Sequence, residues 1–425
     1  MTSATAPATA TPTAPAGFRC RASGDPHVIP VLSLGETPLA NALLTEAHLA
    51  AGDEPRFPLD VVFCPSSALL QITETVPPEV LFRDYVYFSS FSDTALENAR
   101  EIATRLARER GLGAEHLVVE VASNDGYLLR NYVAAGVPVL GIEPATNVAA
   151  EAVARGVRTR NEFFGAEEAA ALRAEGLAAD VIHANNVLAH VADLPGVVRG
   201  FRTLLKDSGV AVIEVQYVKD MIDHCEFDTI YHEHLCYFSL TSLDRLFARH
   251  DLFVEHVERI PIHGGTIRVF AAPRVAGRRP SAAAEALLAE EQGWGVDRPE
   301  FYLGFADRVE RLKRDLRALL AERKAAGRTI AAYGASAKGS TLLNYCGIGR
   351  ETLDYVVDRS TVKQGRYTPG THLPILPPAR LLEAPRPDDV LLLTWNFADE
   401  ILRQQEQYRA GGGRFIVPVP EPRVV

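Results

Sequence analysis

The chain has 425 residues, with 44 Lys and Arg against 54 Asp and Glu, which gives a formal net charge of −10. Hydrophobic residues make up 47% and charged residues 23%, a composition that excludes a mainly disordered chain. The negative balance argues against nucleic acid as a partner, because a phosphate backbone requires a concentrated positive face. No run of about 18 apolar residues occurs, so we predict no membrane span.

The N-terminus and the cysteines bear on the cellular compartment. Residues 1–17 are rich in Ala, Thr and Pro and hold no Lys or Arg, which predicts a disordered tail and not a secretory signal. The cysteines are too few and too scattered for a disulfide framework. They are Cys20, Cys64, Cys225, Cys236 and Cys346. We therefore expect a cytoplasmic protein.

The rest of the chain divides by its pattern into three predicted domains. Residues 18–75 are loop-rich with short apolar runs, which indicates a small strand-rich domain. Residues 76–275 alternate short apolar runs with helical stretches, which predicts βαβ units and a mainly parallel sheet. Residues 276–425 begin with helical sequence, broken near 293–299, and continue with a second α/β pattern from Arg328. The predicted fold class is α/β.

The individual elements follow from the apolar runs and the turn residues between them. Helices are predicted at 96–110, from Tyr127 onward and from Ser340 onward. Strands are predicted at 28–32, 68–72, 117–121, 139–142, 181–184, 210–215, 329–333, 353–358, 390–393 and 415–418.

One candidate binding loop reads Glu-Val-Ala-Ser-Asn-Asp-Gly at 120–126, between a predicted strand and a predicted helix. Small residues there let the backbone approach a ligand closely, at an electropositive helix start. Glu143 ends the next strand about 20 residues on, where a carboxylate can accept both hydroxyls of a ribose. Ala122 and Asn124 replace the glycines that face a pyrophosphate, which favours a compact nucleoside with a sulfonium tail, whose amino group would suit Glu120. An ordinary corner without a ligand is the alternative.

A second candidate is the run Tyr-His-Glu-His at 231–234, which lies among apolar residues. Three interpretations stay open for it: acid/base chemistry, metal ligation by the two imidazoles, and a loop without a function. His190 ends another βα unit, and such strand ends meet at the ligand crevice of an α/β sheet.

These segments together resemble the sugar C-methyltransferases, from about Phe18 to Pro420 and in the same order. Members of that family transfer a methyl group from S-adenosylmethionine to a carbon of a nucleotide-linked deoxy-keto-sugar, typically C3 of a dTDP-4-keto-hexose, in secondary-metabolite biosynthesis. The segments are 120–126, 185–190, 226–234, 263–268, 333–339 and 363–370.

The resemblance implies a small zinc-binding N-terminal domain, a class I methyltransferase Rossmann-like core and a C-terminal Rossmann-like domain, the last two enclosing the nucleotide-sugar. His234 is implied as the general base, with Tyr231, Glu233, His190 and Tyr85 as polar groups around the reacting sugar. The implied S-adenosylmethionine contacts are Glu120, Ala122, Asn124, Gly126, Glu143, Asn185 and Asn186.

Four further residues are predicted to contact the substrate: Ser336, Lys338, His263 and Arg268. The turn Gly-Ala-Ser-Ala-Lys-Gly at 334–339 is not a Walker A motif, because its lysine precedes the second glycine. A lysine and backbone amides at a helix start suit a diphosphate, and a purely structural turn is the alternative.

The chain departs from the family pattern at the expected zinc site. The two pairs read Cys20-Arg-Ala-Ser23 and Cys64-Pro-Ser-Ser67, with serine in place of each second cysteine. Serine is a poor zinc ligand, so we predict no tightly bound metal. Two other functions stay open from the sequence: a methyltransferase of this fold acting on a keto substrate that is not a sugar, and a non-catalytic binding protein.

Overall fold

The computed structural model describes Pro15 and residues 17–82, 88–261 and 264–425. Most of the tail predicted at 1–17 lies outside these residues. Among the described residues, no helix combines the length and the apolar character needed to cross a membrane.

The described strands form three sheets of four, seven and six strands. In chain order they are β1 (Ile29–Pro38), β2 (Arg56–Cys64), β3 (Leu69–Ile72), β4 (Val118–Val121), β5 (Val139–Ile142), β6 (Thr159–Arg160), β7 (Ala179–Asn185), β8 (Leu205–Gln216), β9 (Cys236–Tyr237), β10 (Leu252–Ile260), β11 (Thr266–Pro273), β12 (Ile330–Tyr333), β13 (Val356–Val357), β14 (Ile375–Leu376), β15 (Asp389–Leu392), β16 (Arg414–Val417) and β17 (Arg423–Val424).

The helices lie between these strands and cover the sheets. They are α1 (Glu46–Ala51), α2 (Pro78–Phe82), α3 (Asp93–Glu109), α4 (Leu129–Ala134), α5 (Thr146–Ala154), α6 (Ala166–Ala174), α7 (Leu194–Leu204), α8 (Val218–Asp223), α9 (Leu240–Ala248), α10 (Ala282–Trp294), α11 (Glu300–Leu303), α12 (Phe305–Ala325), α13 (Ala337–Cys346), α14 (Ala398–Gln404) and α15 (Glu406–Ala410).

The seven-stranded sheet has the order β10-β11-β8-β7-β4-β5-β6. Strands β4 to β8 are parallel to their neighbours, and β11 inserts antiparallel between β8 and β10. The chain runs outward from β4 through β5 and β6 and then crosses to β7, so the strand order reverses between β4 and β7. Ligands of such sheets bind in the crevice at the carboxyl ends of the strands beside this reversal. The predicted α/β class is therefore confirmed.

The C-terminal sheet has the order β14-β13-β12-β15-β16-β17, and its strands are parallel except for β17. Its βα turn leads from β12 into α13, where the Ser336 side chain accepts a hydrogen bond from the Gly339 backbone N–H at 3.2 Å. A hydroxyl at this position caps the helix and satisfies a donor that the helix itself leaves unpaired. Ser336 thus has a structural role as the cap of α13, which agrees with the structural turn that the sequence analysis left open, and its contact with the substrate stays a prediction.

The N-terminal sheet is antiparallel in the order β1-β2-β3-β9. Its last strand, β9, comes from far along the chain and pairs Tyr237 with Leu70 and Cys236 with Gln71. Since β9 directly follows residues 231–234, this pairing ties the candidate catalytic run to the N-terminal sheet. The predicted domain boundaries at 75 and 275 stay a proposal. Strand β9 lies within the predicted middle domain in sequence but belongs to the N-terminal sheet.

Helices α10 to α12 connect the three sheets. Helix α10 packs on β10 and α9, whereas α12 packs on β1 and α13. The fully buried Glu291 of α10 accepts hydrogen bonds from the Tyr217 hydroxyl and the Leu240 backbone N–H, both at 2.8 Å. A buried carboxylate is stable only when such donors surround it, so these bonds fix α10 on the seven-stranded sheet.

Candidate active site

A cavity of about 530 Å³, here called the central cavity, opens at the carboxyl ends of β4, β5 and β7. Seven of the residues that the sequence analysis selected line it together, which is what the strand reversal predicts for a ligand site. They are Ala122, Asn124, Glu143, Asn185, Asn186, His190 and Glu233.

The loop after β4 adopts a glycine-like conformation without glycines at two positions. Ala122 has φ of 51° and Asn124 has φ of 49°, in the left-handed region that side chains usually avoid. Left-handed residues that are not glycine concentrate at binding sites, where the surrounding structure holds them. The Asn124 side chain contributes to this, because its Oδ1 accepts the Ser89 backbone N–H at 2.8 Å.

Glu143 follows β5 and lines the central cavity beside this loop. Its two carboxylate oxygens accept the backbone N–H groups of Asn124 and Ala145, each at 2.8 Å. Burial raises the pKa of Glu143, and the two backbone hydrogen bonds oppose that rise. A carboxylate oxygen has two lone pairs, so the group keeps acceptor capacity for ligand hydroxyls.

Glu120 is not among the described residues that line the central cavity. Its carboxyl group is buried behind the loop, where it accepts a hydrogen bond from the Leu129 backbone N–H at the start of α4. Burial, and then the nearby carboxylates of Glu143 and Asp125, raise the pKa of Glu120 well above its usual value. The contact of Glu120 with a cofactor amino group therefore stays a prediction, and the described structure shows only that its carboxyl group is buried beside the start of α4.

Gly126 also lies away from the described cavity lining, and its role is one of packing. Its φ is 77°, and a Cβ atom there would stand 2.7 Å from the Val157 Cγ2 atom. The glycine therefore lets the loop close against the hydrophobic cluster below it. The helix predicted from Tyr127 onward begins at Leu129 in the structure.

The sequence analysis missed several residues of the cavity wall. The aromatic pair Phe163 and Phe164 follows the two-residue strand β6, and Asp193 caps α7 through the Gly196 backbone N–H at 2.9 Å. The aromatic pair could have been found only from its position after a strand of this sheet. Because β6 has only two residues, no apolar run in the sequence reveals that strand.

The candidate base His234 has a defined tautomer. Its Nδ1 lies 2.9 Å from the Thr229 carbonyl oxygen, and its Nε2 lies 2.9 Å from the Tyr231 hydroxyl. A carbonyl only accepts hydrogen bonds, so Nδ1 carries the proton and Nε2 of the neutral ring accepts from Tyr231. The basic lone pair of His234 therefore points at the Tyr231 hydroxyl.

His190 connects this pair to the central cavity. Its ring meets the His234 ring edge-on, with centroids 4.9 Å apart, and it lines the cavity itself. Burial lowers the pKa of His190 to about 4, while a hydrogen bond to the Glu233 backbone opposes that fall. His190 is thus a neutral hydrogen-bonding group at ordinary pH.

The neighbouring His232 faces the other way. Its Nε2 donates to the Pro58 carbonyl oxygen at 3.1 Å, and its ring meets Phe57 edge-on. Burial lowers its pKa. His232 touches the cavity wall, but its described hydrogen bond joins it to the N-terminal sheet, which disfavours it as the rival base. Among the described residues no group of three or more metal-ligating side chains occurs, so these imidazoles carry no indication of a metal centre.

Two predicted site residues, Tyr85 and His263, lie outside the described residues. Their assignments therefore stay predictions. Both belong to short segments that join described elements: the first follows α2, which contributes to the central cavity wall, and the second precedes β11.

Arg268 is placed differently from its prediction as a substrate contact. It is 2% exposed, and its Nε donates to Glu214 Oε1 at 2.7 Å. The two remaining nitrogens donate to Glu258 Oε2 at 3.0 Å and to Asn98 Oδ1 at 2.6 Å. The structure therefore gives Arg268 a structural role that ties β11 to β8, β10 and α3, because its side chain is committed to this network and does not line the central cavity.

Lys338 lies where the C-terminal sheet meets the segment before the catalytic run. Its Nζ donates to Asn396 Oδ1 at 3.2 Å and stands 4.8 Å from the centroid of the Trp395 ring. Burial lowers the pKa of Lys338, and the carboxylates of Asp228 and Glu226 oppose that effect. Trp395 Nε1 in turn donates to Asp228 Oδ2 at 2.6 Å.

A second cavity of about 660 Å³ lies between the seven-stranded sheet and the C-terminal sheet, and we call it the interdomain cavity. Its lining combines aromatic, basic and acidic side chains, among them Trp395, Phe397, Arg403, Arg423, Glu226, Asp399 and Glu400. A smaller cavity beside Asn186 and Asn396 shares wall residues with both larger ones, so the three cavities adjoin one another.

Comparison with known proteins decides the family. The C-methyltransferase NovU of Streptomyces niveus is 39% identical over 406 residues, which is 96% of each chain. The chain belongs to the C-methyltransferase family. Family models agree along the chain: "Putative zinc binding domain" matches residues 20–82, "Methyltransferase domain" 93–257 and "C-methyltransferase C-terminal domain" 261–420. The protein is an S-adenosylmethionine-dependent C-methyltransferase, and its predicted family is confirmed.

Solved methyltransferase structures match part of this C-methyltransferase at low identity. Magnesium protoporphyrin IX methyltransferase (ChlM) from Synechocystis PCC 6803 with bound SAM covers 42% of the chain and 79% of its own, at 11% identity and a TM-score of 0.33. The CcbJ methyltransferase from Streptomyces caelestis covers 42% and 90%, at 14% identity and a TM-score of 0.33.

The site of this C-methyltransferase suits S-adenosylmethionine chemically. The buried Glu143 carboxylate offers acceptors for ribose hydroxyls, and the left-handed backbone at Ala122 and Asn124 admits a ligand close to the chain. The aromatic side chains of Phe163 and Phe164 provide an apolar wall for a nucleobase.

The four zinc positions of this C-methyltransferase do converge. Cys20 Sγ lies 3.1 Å from Ser67 Oγ, and Cys64 Sγ lies 3.7 Å from Ser23 Oγ. Two thiols and two hydroxyls are a poor ligand set for a structural zinc, and hydrogen bonds join the four side chains in two pairs.

We expect the purified protein to hold far less than one zinc per chain, because two of its four ligands are hydroxyls. The double variant Ser23→Cys/Ser67→Cys completes a Cys₄ set and is expected to bind about one zinc per chain. Elemental analysis of both proteins after dialysis measures this. A wild-type protein that keeps one zinc through dialysis contradicts the expectation.

Proposed function

We propose that this enzyme transfers the methyl group to a carbon next to a ketone, C3 of a dTDP-4-keto-deoxy-sugar, in the biosynthesis of an antibiotic or another secondary metabolite. One observation carries the proposal. Glu143 follows β5 and holds the loop after β4, here called the cofactor loop, through the Asn124 backbone N–H, and the central cavity brings it into the same space as Glu233 and His190. His234 in turn packs directly on His190. A methyl donor at the loop therefore faces titratable groups suited to proton abstraction.

His234 acts as the base in this proposal. Because the Thr229 carbonyl holds the proton on Nδ1, Nε2 has the lone pair that receives a proton. The Tyr231 hydroxyl lies on that lone pair, so the C3 proton reaches Nε2 either directly, once the sugar displaces Tyr231, or through the Tyr231 hydroxyl. Both routes end with the proton on Nε2.

Breaking the C3–H bond leaves its electron pair in an enolate across C3 and C4. Neutral hydrogen-bond donors stabilise the developing negative oxygen without a large reorganisation. The Tyr231 hydroxyl and the His190 ring adjoin the base and are the described groups suited to this. The cofactor supplies an electrophilic methyl group on a cationic sulfur. The C3 carbon forms a bond to that methyl group as the sulfur–methyl bond breaks, and the electron pair of the broken bond stays on sulfur. His234 then returns its proton to solvent.

The nucleoside diphosphate occupies the interdomain cavity in this proposal. Trp395 and Phe397 offer faces for base stacking, and Arg403 and Arg423 offer charge-assisted hydrogen bonds to phosphate oxygens. Lys338, which bonds Asn396 at the wall of that cavity, adds positive charge nearby. The smaller cavity adjoins both larger ones, and in this proposal one substrate extends through it from the interdomain cavity toward the methyl donor.

Radiolabelled S-adenosylmethionine and three acceptors test the proposal: a dTDP-4-keto-deoxy-sugar, the same sugar without the nucleotide, and an α-keto acid. We expect label transfer to the dTDP-4-keto-deoxy-sugar. Of the three acceptors, only this one has both a nucleoside diphosphate for the interdomain cavity and a keto-sugar for the central cavity. Transfer to the keto acid alone contradicts the sugar assignment, and equal transfer to the free sugar contradicts the role of the interdomain cavity.

A further inference from the structure

A side chain of the N-terminal domain reaches the central cavity. Asn41 follows β1 in a turn, and its Nδ2 donates to Glu233 Oε1 at 2.7 Å. Glu233 lines the cavity and stands 192 positions further along the chain. The bond therefore joins the domain with the altered zinc site to the candidate catalytic run.

Glu233 depends on its partners, because its side chain is almost completely buried. It is 6% exposed, and burial raises its pKa to about 7. The hydrogen bond from Asn41 and the charge of Lys363 oppose that rise by favouring the carboxylate. Lys363 itself is held by the Ala335 carbonyl oxygen at 2.8 Å.

The other titratable groups around Glu233 are histidines. His190 forms a hydrogen bond with the Glu233 backbone, and His232 and His234 flank it along the chain. His190 and His232 have pKa values lowered by burial, so both are neutral near pH 7. Asn41 thus provides a neutral donor directed at the carboxylate itself, from a different domain.

We propose that Asn41 is a positioning residue for methyl transfer, which orients the Glu233 side chain in the central cavity through the hydrogen bond to its Oε1 atom. The inference rests on the function proposed above. It gives the N-terminal domain a role in the reaction beyond stability. The two polar atoms meet because β9 joins the N-terminal sheet immediately after the catalytic run.

The variant Asn41→Leu removes the donor at similar volume. A hydrogen bond to an ionised group is worth enough to lower kcat at pH 7 by roughly 10- to 100-fold when it is lost. Because the bond favours the charged form, its loss raises the pKa of Glu233. The acidic limb of the kcat profile is then expected to move up by about one pH unit, while KM for S-adenosylmethionine stays the same.

A double-mutant cycle with Glu233→Gln separates positioning from stability. If Asn41 acts through the carboxylate, Asn41→Leu costs little further activity in the Glu233→Gln enzyme. The control Glu54→Ala breaks another polar contact of this domain, with the Gly370 backbone N–H and His372. We expect the control to leave the pH profile unshifted.

Equal losses in both backgrounds, or an unshifted profile for Asn41→Leu, would overturn the inference. If Asn41→Leu does not fold, Asn41→Asp keeps the shape and adds a like charge, and a wild-type profile for it overturns the inference as well. A substrate-free readout distinguishes this failure from that of the proposed function. Titration of ¹³C-labelled Glu carboxyls, with the Glu233 signal assigned through Glu233→Gln, shows whether Asn41→Leu raises the Glu233 pKa even if no sugar is methylated.

Discussion

Replacing His234 by Asn is expected to lower turnover about 10²- to 10⁴-fold, the usual worth of general acid–base catalysis. The Asn amide can keep the hydrogen bond that Nδ1 now gives to the Thr229 carbonyl oxygen, but it has no group in the place of Nε2. The loss therefore falls on proton abstraction. Affinity for S-adenosylmethionine, measured by calorimetry, is expected to stay at the wild-type value because His234 lies outside the cofactor loop.

His232→Asn is the matched control for this variant. Its imidazole donates to the Pro58 carbonyl oxygen, so its loss is expected to affect packing against the N-terminal sheet more than the chemistry. Exchange of the sugar α-hydrogen in deuterated water gives an independent readout, which His234→Asn should abolish. If His232→Asn abolishes turnover and His234→Asn does not, the assigned base is wrong.

Replacing Arg268 by Met is expected to destabilise the enzyme by about 3–5 kcal/mol, the effect of removing one partner from a buried ion pair. Glu214 is 1% exposed and would lose the guanidinium that now lies 2.7 Å from it. The affected bonds hold β11 between its neighbours in the seven-stranded sheet. Urea unfolding of both proteins measures the difference.

The pair of the exposed Arg259 with the half-buried Asp220, at 3.0 Å, offers the control, because it is more open to solvent than the pair of Arg268 with Glu214. Arg259→Met is expected to cost less than about 1 kcal/mol, because solvent screens a surface ion pair. The result that contradicts this structural role is an Arg268→Met enzyme with wild-type stability and a raised KM for the sugar, which would restore the original interpretation of Arg268 as a substrate contact.

The sequence predicted the parallel strands of both α/β sheets because each is a short apolar run buried on two faces. Strands β4, β5, β7 and β8 all contain their predicted segments or most of them. The parallel strands β6 and β14 were exceptions, because each has only two residues and leaves no clear apolar run. Strand β9 was missed although it lies among apolar residues, because its partner β3 is far away in the sequence. Strands β10 and β11 were also missed, although they complete the edge of the seven-stranded sheet.

The candidate site was predictable where function follows strand ends, as at Glu143, Asn186 and His190. The site was not predictable where a motif residue makes its contacts with other parts of the protein instead of lining the cavity. Arg268 and Glu120 belong to the motifs that carry the resemblance, yet their side chains turn to Glu214 and to the start of α4. The bond from Asn41 to Glu233 was equally hidden, because two turns become neighbours only through the pairing of β9.

The most direct test of the account uses S-adenosylmethionine with a ¹³C-labelled methyl group and a dTDP-4-keto-deoxy-sugar. Two-dimensional NMR of the product locates the label. The account predicts one labelled methyl group bonded to C3, beside the C4 ketone, with the C3 hydrogen lost. A labelled methyl group on oxygen or nitrogen, or on a carbon that is not next to the ketone, would contradict it.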